Sequence, residues 1–324
     1  MSVAIWPPIA PEQLKIEEDA TQARELNWLL TNLHTTLRTL KTSLEETYAL
    51  LAPIDPGSTL VVSTPRHETV KGHITRVGTR LIKGNIAVKL RTQPPFTLTL
   101  DAAHVVHVPE LTTLNTLLTQ SIDLLALCVS ERPDPRFLRD QLRLLADYLS
   151  EAVGLVKGKE PGEGSQADTR WTSCSVPPEC FNPPLDGSMS VYFTLQDAAL
   201  VMYLRALEPA DAPVNFGTKL ALAIGTARRL EHDEADRVFG YCPEGLDEGA
   251  GSVSRERAPA GARGGGMGKG RGTEIQVFVR EKVRIESADP SLMSLSSKLG
   301  ALGSVLALAR RNLAVVMGED VELE

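Results

Sequence analysis

Cysteine is scarce in this chain. Cys128, Cys174, Cys180 and Cys242 are the only four in 324 residues. They are too few and too scattered for a disulfide framework, and no CxxC pair exists to hold structural zinc. Reduced thiols in a cytosolic protein fit that usage. Positive charge is also short. Lys and Arg number 34 against 41 Asp and Glu, giving a net charge of −7 and a pI near 5.5. A duplex nucleic-acid binder shows the opposite balance, so no nucleic-acid partner is expected. The segment Met1 to Glu12 holds Trp6 and three prolines but no basic region ahead of an apolar core, so it does not read as a secretory signal. The most apolar long stretch, Leu299 to Met317, is interrupted by Arg310, Arg311 and Asn312, which argues against a membrane span. The expectation is a soluble protein that meets membranes only through partners.

Catalytic signatures are missing too. Gly268-Lys269 would need Gly at 263 and Ser or Thr at 270 to close a phosphate-binding loop, and the chain has Arg263 and Gly270. His104 and His107 stand three apart, which on a strand turns the two rings to opposite faces and forbids a chelate. Cys174 and Cys180 lie near Trp171 without a histidine to activate a thiol. No GxSxG, HExxH or strand-to-helix GxGxxG occurs. The acidic clusters Glu17 to Asp19 and Glu231 to Asp236 read as solvated faces. Arg263 to Gly272 resembles an RGG segment, in one copy and without aromatic residues, and a flexible loop is the better reading. No catalytic, cofactor-binding or metal-binding residue is assigned. The expectation is a binding or assembly protein rather than an enzyme.

What the chain does have is leucine at heptad spacing. Leu30, Leu37, Leu44 and Leu51 recur every seven residues, with Leu26, Leu33 and Leu40 in the alternate positions and Thr47 as the break. Leu138, Leu142, Leu145, Leu149, Ala152 and Val156 repeat the spacing. So do Leu292, Leu295, Leu299, Leu302, Leu306, Ala309, Leu313 and Val316, and a shorter run holds Leu111, Leu114, Leu118 and Leu125. An apolar residue every 3.5 positions keeps one seam facing its partners. Four such helices in one chain need each other, so an intramolecular bundle is expected, with a zipper to another protein as the second reading. The seam residues are Leu30, Leu33, Leu37, Leu40, Leu44, Leu142, Leu145, Leu149, Leu295, Leu299, Leu302 and Leu306.

The helices are placed by their punctuation. The first starts between Pro11 and Thr21 and ends before Pro53 and the Pro56-Gly57 turn. The second runs from Pro109-Glu110 to about Ser130. The third runs from about Pro135 to Lys157, and the short link implies an antiparallel hairpin. The fourth follows Asp289-Pro290. Between them the period falls to two. Thr59 to Ser63, Thr69 to Thr75, Ile82 to Leu90 and Phe96 to Leu100 read as half-buried antiparallel strands, with Val105 to Val108 as a last member. Val70, Gly72, Ile74 and Arg76 share one face of their strand. A second β stretch begins near Met189, where Val191, Phe193 and Leu195 alternate with Tyr192 and Thr194. Ala199 to Leu207 and Lys219 to Ile224 read as further strands, although Val201 to Leu204 suits a helix equally. Ile275, Val277, Val279, Val283 and Ile285 resume the alternation. Residues 243–273 hold ten glycines and no aromatic residue and are expected to be a disordered insertion. An acidic tail, Glu319 to Glu324, ends the chain.

The resulting fold class is α+β, an elongated two-lobed molecule. An α lobe (11–53, 109–157 and 290–318) would be an antiparallel helical bundle joining both termini. A β lobe (58–108 and 185–287) would carry the insertion.

Several blocks resemble the Rogdi family, also described as the small subunit of the fungal regulator of the ATPase of vacuolar and endosomal membranes (RAVE). Glu25-Leu26-Asn27-Trp28-Leu29-Leu30 is similar to that family's opening signature. Val70-Lys71-Gly72-His73-Ile74-Thr75 and Asn85-Ile86-Ala87-Val88-Lys89-Leu90 resemble two successive family strands. Val191-Tyr192-Phe193-Thr194-Leu195 and Leu204-Arg205-Ala206-Leu207-Glu208-Pro209 match later blocks in order and spacing, and the final helix adds an apolar match. The glycine-rich insertion departs from the compact animal members. The resemblance implies a two-lobed protein without catalysis or cofactor. It implies a cytoplasmic subunit recruited to vacuolar and endosomal membranes, around a large β-propeller scaffold and, in fungi, a small adaptor shared with ubiquitin ligases. Such a complex binds the detached peripheral sector of the vacuolar proton pump and promotes its reassembly with the membrane sector.

Overall fold

A computed structural model of the chain describes residues 9–64, 69–130, 134–158, 169–211, 232–235, 237–243 and 274–318. The expected strand at Lys219 to Ile224, the glycine-rich stretch from residue 244 to 273 and the acidic tail lie outside the described residues. The chain is α+β, with long helices and antiparallel sheets. It divides into two compact units. The first takes the described parts of Met1–Ala52, Glu110–Lys157 and Pro290–Glu324, and the second those of Pro53–Pro109 and Gly158–Asp289.

The first unit holds four long helices: α1 (Pro11–Ala49), α2 (Pro109–Ser130), α3 (Pro135–Lys157) and α4 (Pro290–Val316). Pro11, Pro109, Pro135 and Pro290 each open a helix, where the missing N–H costs nothing. At 39 residues α1 is about 58 Å long. It runs antiparallel to α4: Gln22 donates to the Val316 carbonyl at one end, and Lys298 pairs with Glu46 at 2.9 Å at the other. His34 Nε2 meets the Val129 carbonyl at 2.9 Å and ties α1 to α2. Helix α3 packs on α4. By length and composition α2 and α4 could each cross a membrane. In this unit their leucines instead form buried seams, which is sufficient reason for so apolar a composition.

The second unit has two antiparallel sheets. In the first, β1 (Ser58–Ser63), β2 (Val70–Val77), β3 (Arg80–Val88) and β4 (Phe96–Thr99) follow in order, and β5 (Val106–His107) also pairs with β3. Gly57, at φ 76°, turns the chain into β1 in a conformation that L side chains rarely adopt. Gly72 lets β2 approach β3, since a Cβ there would lie 2.1 Å from the Asn85 carbonyl oxygen. In the second sheet the order is β6 (Met189–Gln196), β7 (Ala199–Pro209), β9 (Ile275–Ala288), β8 (Val238–Tyr241). The Val201 to Leu204 run is therefore strand, and Ile275 to Ile285 belongs to one continuous strand. The β6–β7 hairpin turns at Asp197 and Ala198, both at positive φ.

Two expectations change here. Strand β6 is not half-buried: every residue from Met189 to Leu195 is buried. The segment before it explains one of the covered faces. Residues 169–184, given to neither lobe from the sequence, belong to this unit. The helical turn Trp171–Cys174 packs its indole on Tyr192, Leu207, Phe239 and Tyr241. Val176 donates to the Val191 carbonyl, and Phe181 bridges to Leu100 of the other sheet. The alternation in β2 also fails beyond Ile74, because a bulge between Thr75 and Arg76 leaves Ile74 through Val77 all buried.

Candidate functional site

The heptad seam occupies the first unit. Leu33, Leu37, Leu40 and Leu44 of α1 are buried, as are Leu142, Leu145 and Leu149 of α3 and Leu295, Leu299, Leu302 and Leu306 of α4. Each such burial contributes about 1.5–3 kcal/mol. Thr47, the apparent break, is fully buried within the seam, its hydroxyl donating to the Ser43 carbonyl at 2.8 Å. Leu30 departs from the expected set: it is only half-buried, and so is Leu26. Before Leu26 every described residue of α1 is exposed. The seam thus thins towards the start of α1, where α4 has reached its end at Val316. Trp28, at 70 % exposure, points away from it.

Beside the seam, α1 and α4 enclose a groove of about 560 Å³. Thr35, Thr36, Thr39 and Ser43 line one wall, and Ala301, Leu302 and Val305 the other. The threonines at 31, 36, 39 and 42 bond back to the carbonyl four residues earlier, so their hydroxyls are satisfied within α1.

The second unit centres its polar groups on a buried guanidinium. Arg205 on β7 makes a bidentate pair with Glu234, Nε to Oε2 at 2.8 Å and Nη2 to Oε1 at 2.9 Å. Its guanidinium lies 4.5 Å from the Trp171 ring centre and 5.1 Å from that of Tyr203. Lys282 on β9 reaches Glu234 at 2.6 Å and both oxygens of Asp233 at 2.9 and 2.8 Å. Burial pushes the Glu234 carboxyl up, but the bonds and charge of Arg205, then of Lys282, outweigh it and hold the group below its usual range. Asp233 is lowered by the same balance against Lys282. Burial raises the Tyr241 phenol against hydrogen bonds to Ser175 and Ser190. A general acid or base titrates near its working pH. Carboxylates held ionised by two cations suit a clamp, which here fixes residues 232–235 on the sheet.

The other singled-out residues fall apart. His104 lies in a turn rather than on a strand, with Nδ1 2.9 Å from Asp101 Oδ2, because the β5 pairing begins only at Val106. His107 is on β5. All four cysteines are free thiols, Cys128 and Cys180 buried. Among the described residues no three His, Cys, Asp or Glu side chains group as a metal site. Arg263 to Gly272 lies outside the described residues. Sequence reasoning missed the Arg205–Glu234–Lys282 centre. A charged residue between Leu204 and Ala206 in an apolar strand was the available signal, but its partner is 29 residues away.

Among known proteins, the family model described as Rogdi leucine zipper containing protein matches residues 25–314. No curated protein matches the chain. The matched span opens before the buried part of the α1 seam and closes just after Leu313, the last buried leucine of α4.

Proposed function

Since the chain belongs to the Rogdi leucine zipper family, we propose that it is a non-catalytic subunit of a RAVE-like complex, promoting reassembly of the vacuolar proton-pumping ATPase. The observation that carries this reading is the family match, which covers α1 to α4 and both sheets rather than one zipper. In this reading the four helices act as one antiparallel bundle and the two sheets as one β lobe. Both are rigid supports for partner surfaces. The partners are a large β-propeller scaffold subunit, the adaptor shared with ubiquitin ligases and peripheral-sector pump subunits. The protein is cytoplasmic and reaches vacuolar or endosomal membranes through them.

The test is affinity purification from native cytosol with partners identified by mass spectrometry. Recovery of a giant propeller-containing protein with peripheral pump subunits is the expected result. Normal pump reassembly in a strain lacking the gene would overturn the role. A second reading, self-association through a zipper, is favoured by one observation: Val305, Leu308 and Val315 of α4 are exposed. Sedimentation decides it, because a strictly monomeric protein excludes it.

A further inference from the structure

We propose that the outward face of the first sheet is a docking surface for an acidic segment of a partner protein. From Thr69 to Leu100 the chain carries six cations, Lys71, Arg76, Arg80, Lys83, Lys89 and Arg91, and no carboxylate, although the whole chain carries −7. The pleat then sorts them. Arg76 turns inward and is buried against Asp289. Lys71, His73, Lys83 and Lys89 all stand exposed on the other face.

The register fixes their arrangement. Val61, His73, Asn85 and Thr99 form one row across the four strands, and Ser63, Lys71, Ala87 and Thr97 form the next. Lys83 lies one step to one side of these rows and Lys89 one step to the other. Lys83, on β3, and Lys89, the residue just after β3, are therefore about 20 Å apart, with Lys71 between them on β2. Neither Lys83 nor Lys89 has an ion-pair partner among the described residues. The second sheet treats charge in the opposite way. There Arg205 pairs with Glu234, Arg280 with Glu208, Lys282 with Asp233 and Glu234, and Arg284 with Glu286. Lys83 and Lys89, left without an ion pair on one sheet of an acidic protein, give that face a positive charge, which steers and orients an acidic partner.

The side chains around the cations select the kind of partner. Of the large apolar groups only Val61 stands exposed on this face, at 70 %, too little to insert into a lipid surface. No Phe, Tyr or Trp stands among the outward residues to stack a base, and the ring present is the imidazole of His73. The cations are lysines, point charges that pair with carboxylates as readily as with phosphates. Ser63, Asn85, Thr97 and Thr99 supply short hydrogen-bonding groups between them, which suits carboxylates and peptide groups. Nothing in this surface depends on the assembly role proposed above.

The experiment uses the full chain and a fluorescein-labelled peptide of about twelve residues, alternating glutamate and threonine, enough to span the strands at about 3.4 Å per residue. Wild type is expected to bind it, more weakly as salt rises. Lys83→Glu/Lys89→Glu is expected to weaken binding about tenfold or more, about 1.4 kcal/mol. Arg310→Glu/Arg311→Glu, exposed on α4, should leave it unchanged. If the reversal fails to fold, Lys83→Gln/Lys89→Gln removes the charges without adding new ones and should weaken binding in the same direction. The proposal is overturned if wild type does not bind the peptide, or if the sheet variants bind as wild type does. It is equally overturned if phosphatidylserine vesicles or single-stranded oligonucleotides, rather than the peptide, lose their binding in those variants.

Discussion

Nε of Arg76 donates a 2.6 Å hydrogen bond to Oδ2 of Asp289, and both side chains are buried. The residues are 213 apart in the chain, one on β2 and the other just beyond β9, so the pair fastens the two sheets together. Arg76 Nη1 also donates to the Gly78 carbonyl at 2.6 Å. Removing one partner strands the other charge out of water. Asp289→Ala is therefore expected to cost about 3–5 kcal/mol, and Arg76→Met/Asp289→Leu much less, because it leaves no orphan charge. Urea denaturation of the two variants checks this; equal losses would mean the pair itself stabilises.

The seam gradient gives a second prediction. Leu37 is 1 % exposed, whereas Leu30 is half-buried. Leu37→Ala should cost about 2–5 kcal/mol, and Leu37→Asp, which buries a charge in the seam, should unfold the first unit. Leu30→Ala should cost less than half of Leu37→Ala. Thermal melts followed by far-ultraviolet circular dichroism would show the ranking, and a Leu37→Asp protein melting like wild type would disprove the seam register.

The Glu234 clamp predicts an acid sensitivity. Its carboxyl is held below the ordinary range in the folded chain, so the unfolded chain binds that proton first as pH falls. The contribution to stability is complete above the unfolded value, about 4.3, and is lost as pH drops through the lower folded value. Glu234→Gln should remove this part of the acid slope while lowering stability at neutral pH. Denaturant midpoints measured from neutral pH down to about pH 3 would reveal a slope that persists in the variant, if the assignment is wrong.

Burial pushes the Cys128 and Cys180 thiols up, with Glu179 and Asp101 adding to the effect at Cys180. The thiolate is the reactive form. Both should therefore resist alkylation in the native protein at mildly alkaline pH and label fully in denaturant. Mass-spectrometric mapping of iodoacetamide adducts tests this, and rapid native labelling of Cys128 would contradict its place in α2.

The β6–β7 turn offers a stabilising change. Ala198 sits at φ 58°, which costs a residue with a Cβ about 1–2 kcal/mol. Ala198→Gly relieves this but gives up one buried methyl, worth about 0.8 kcal/mol. Relief wins by a few tenths to about 1 kcal/mol, visible as a small rise in Tm; a fall would mean that the methyl packs better than its size suggests.

The sequence by itself determined the periods. Leucines spaced three and four apart fix four helices because that spacing leaves one stripe with nowhere to go but inward. Prolines at 11, 109, 135 and 290 open those helices, and alternation placed β1 to β4, β6 and β9. These signals are local, set by backbone geometry within a few residues. Only the tertiary structure decided which stretches of a period are used. Leu26 and Leu30 carry the same pattern as Leu37 yet are only half-buried, a difference that the spacing does not show. Trp171 joined the second sheet through ring contacts with Phe239 and Tyr241, far along the chain. Arg205 found Glu234, and Arg76 found Asp289, across separations at which spacing carries no information. The positive face needed the fold as well: six cations between Thr69 and Leu100 were in the sequence, but only the structure showed Arg76 buried against Asp289 and Lys71, Lys83 and Lys89 facing solvent.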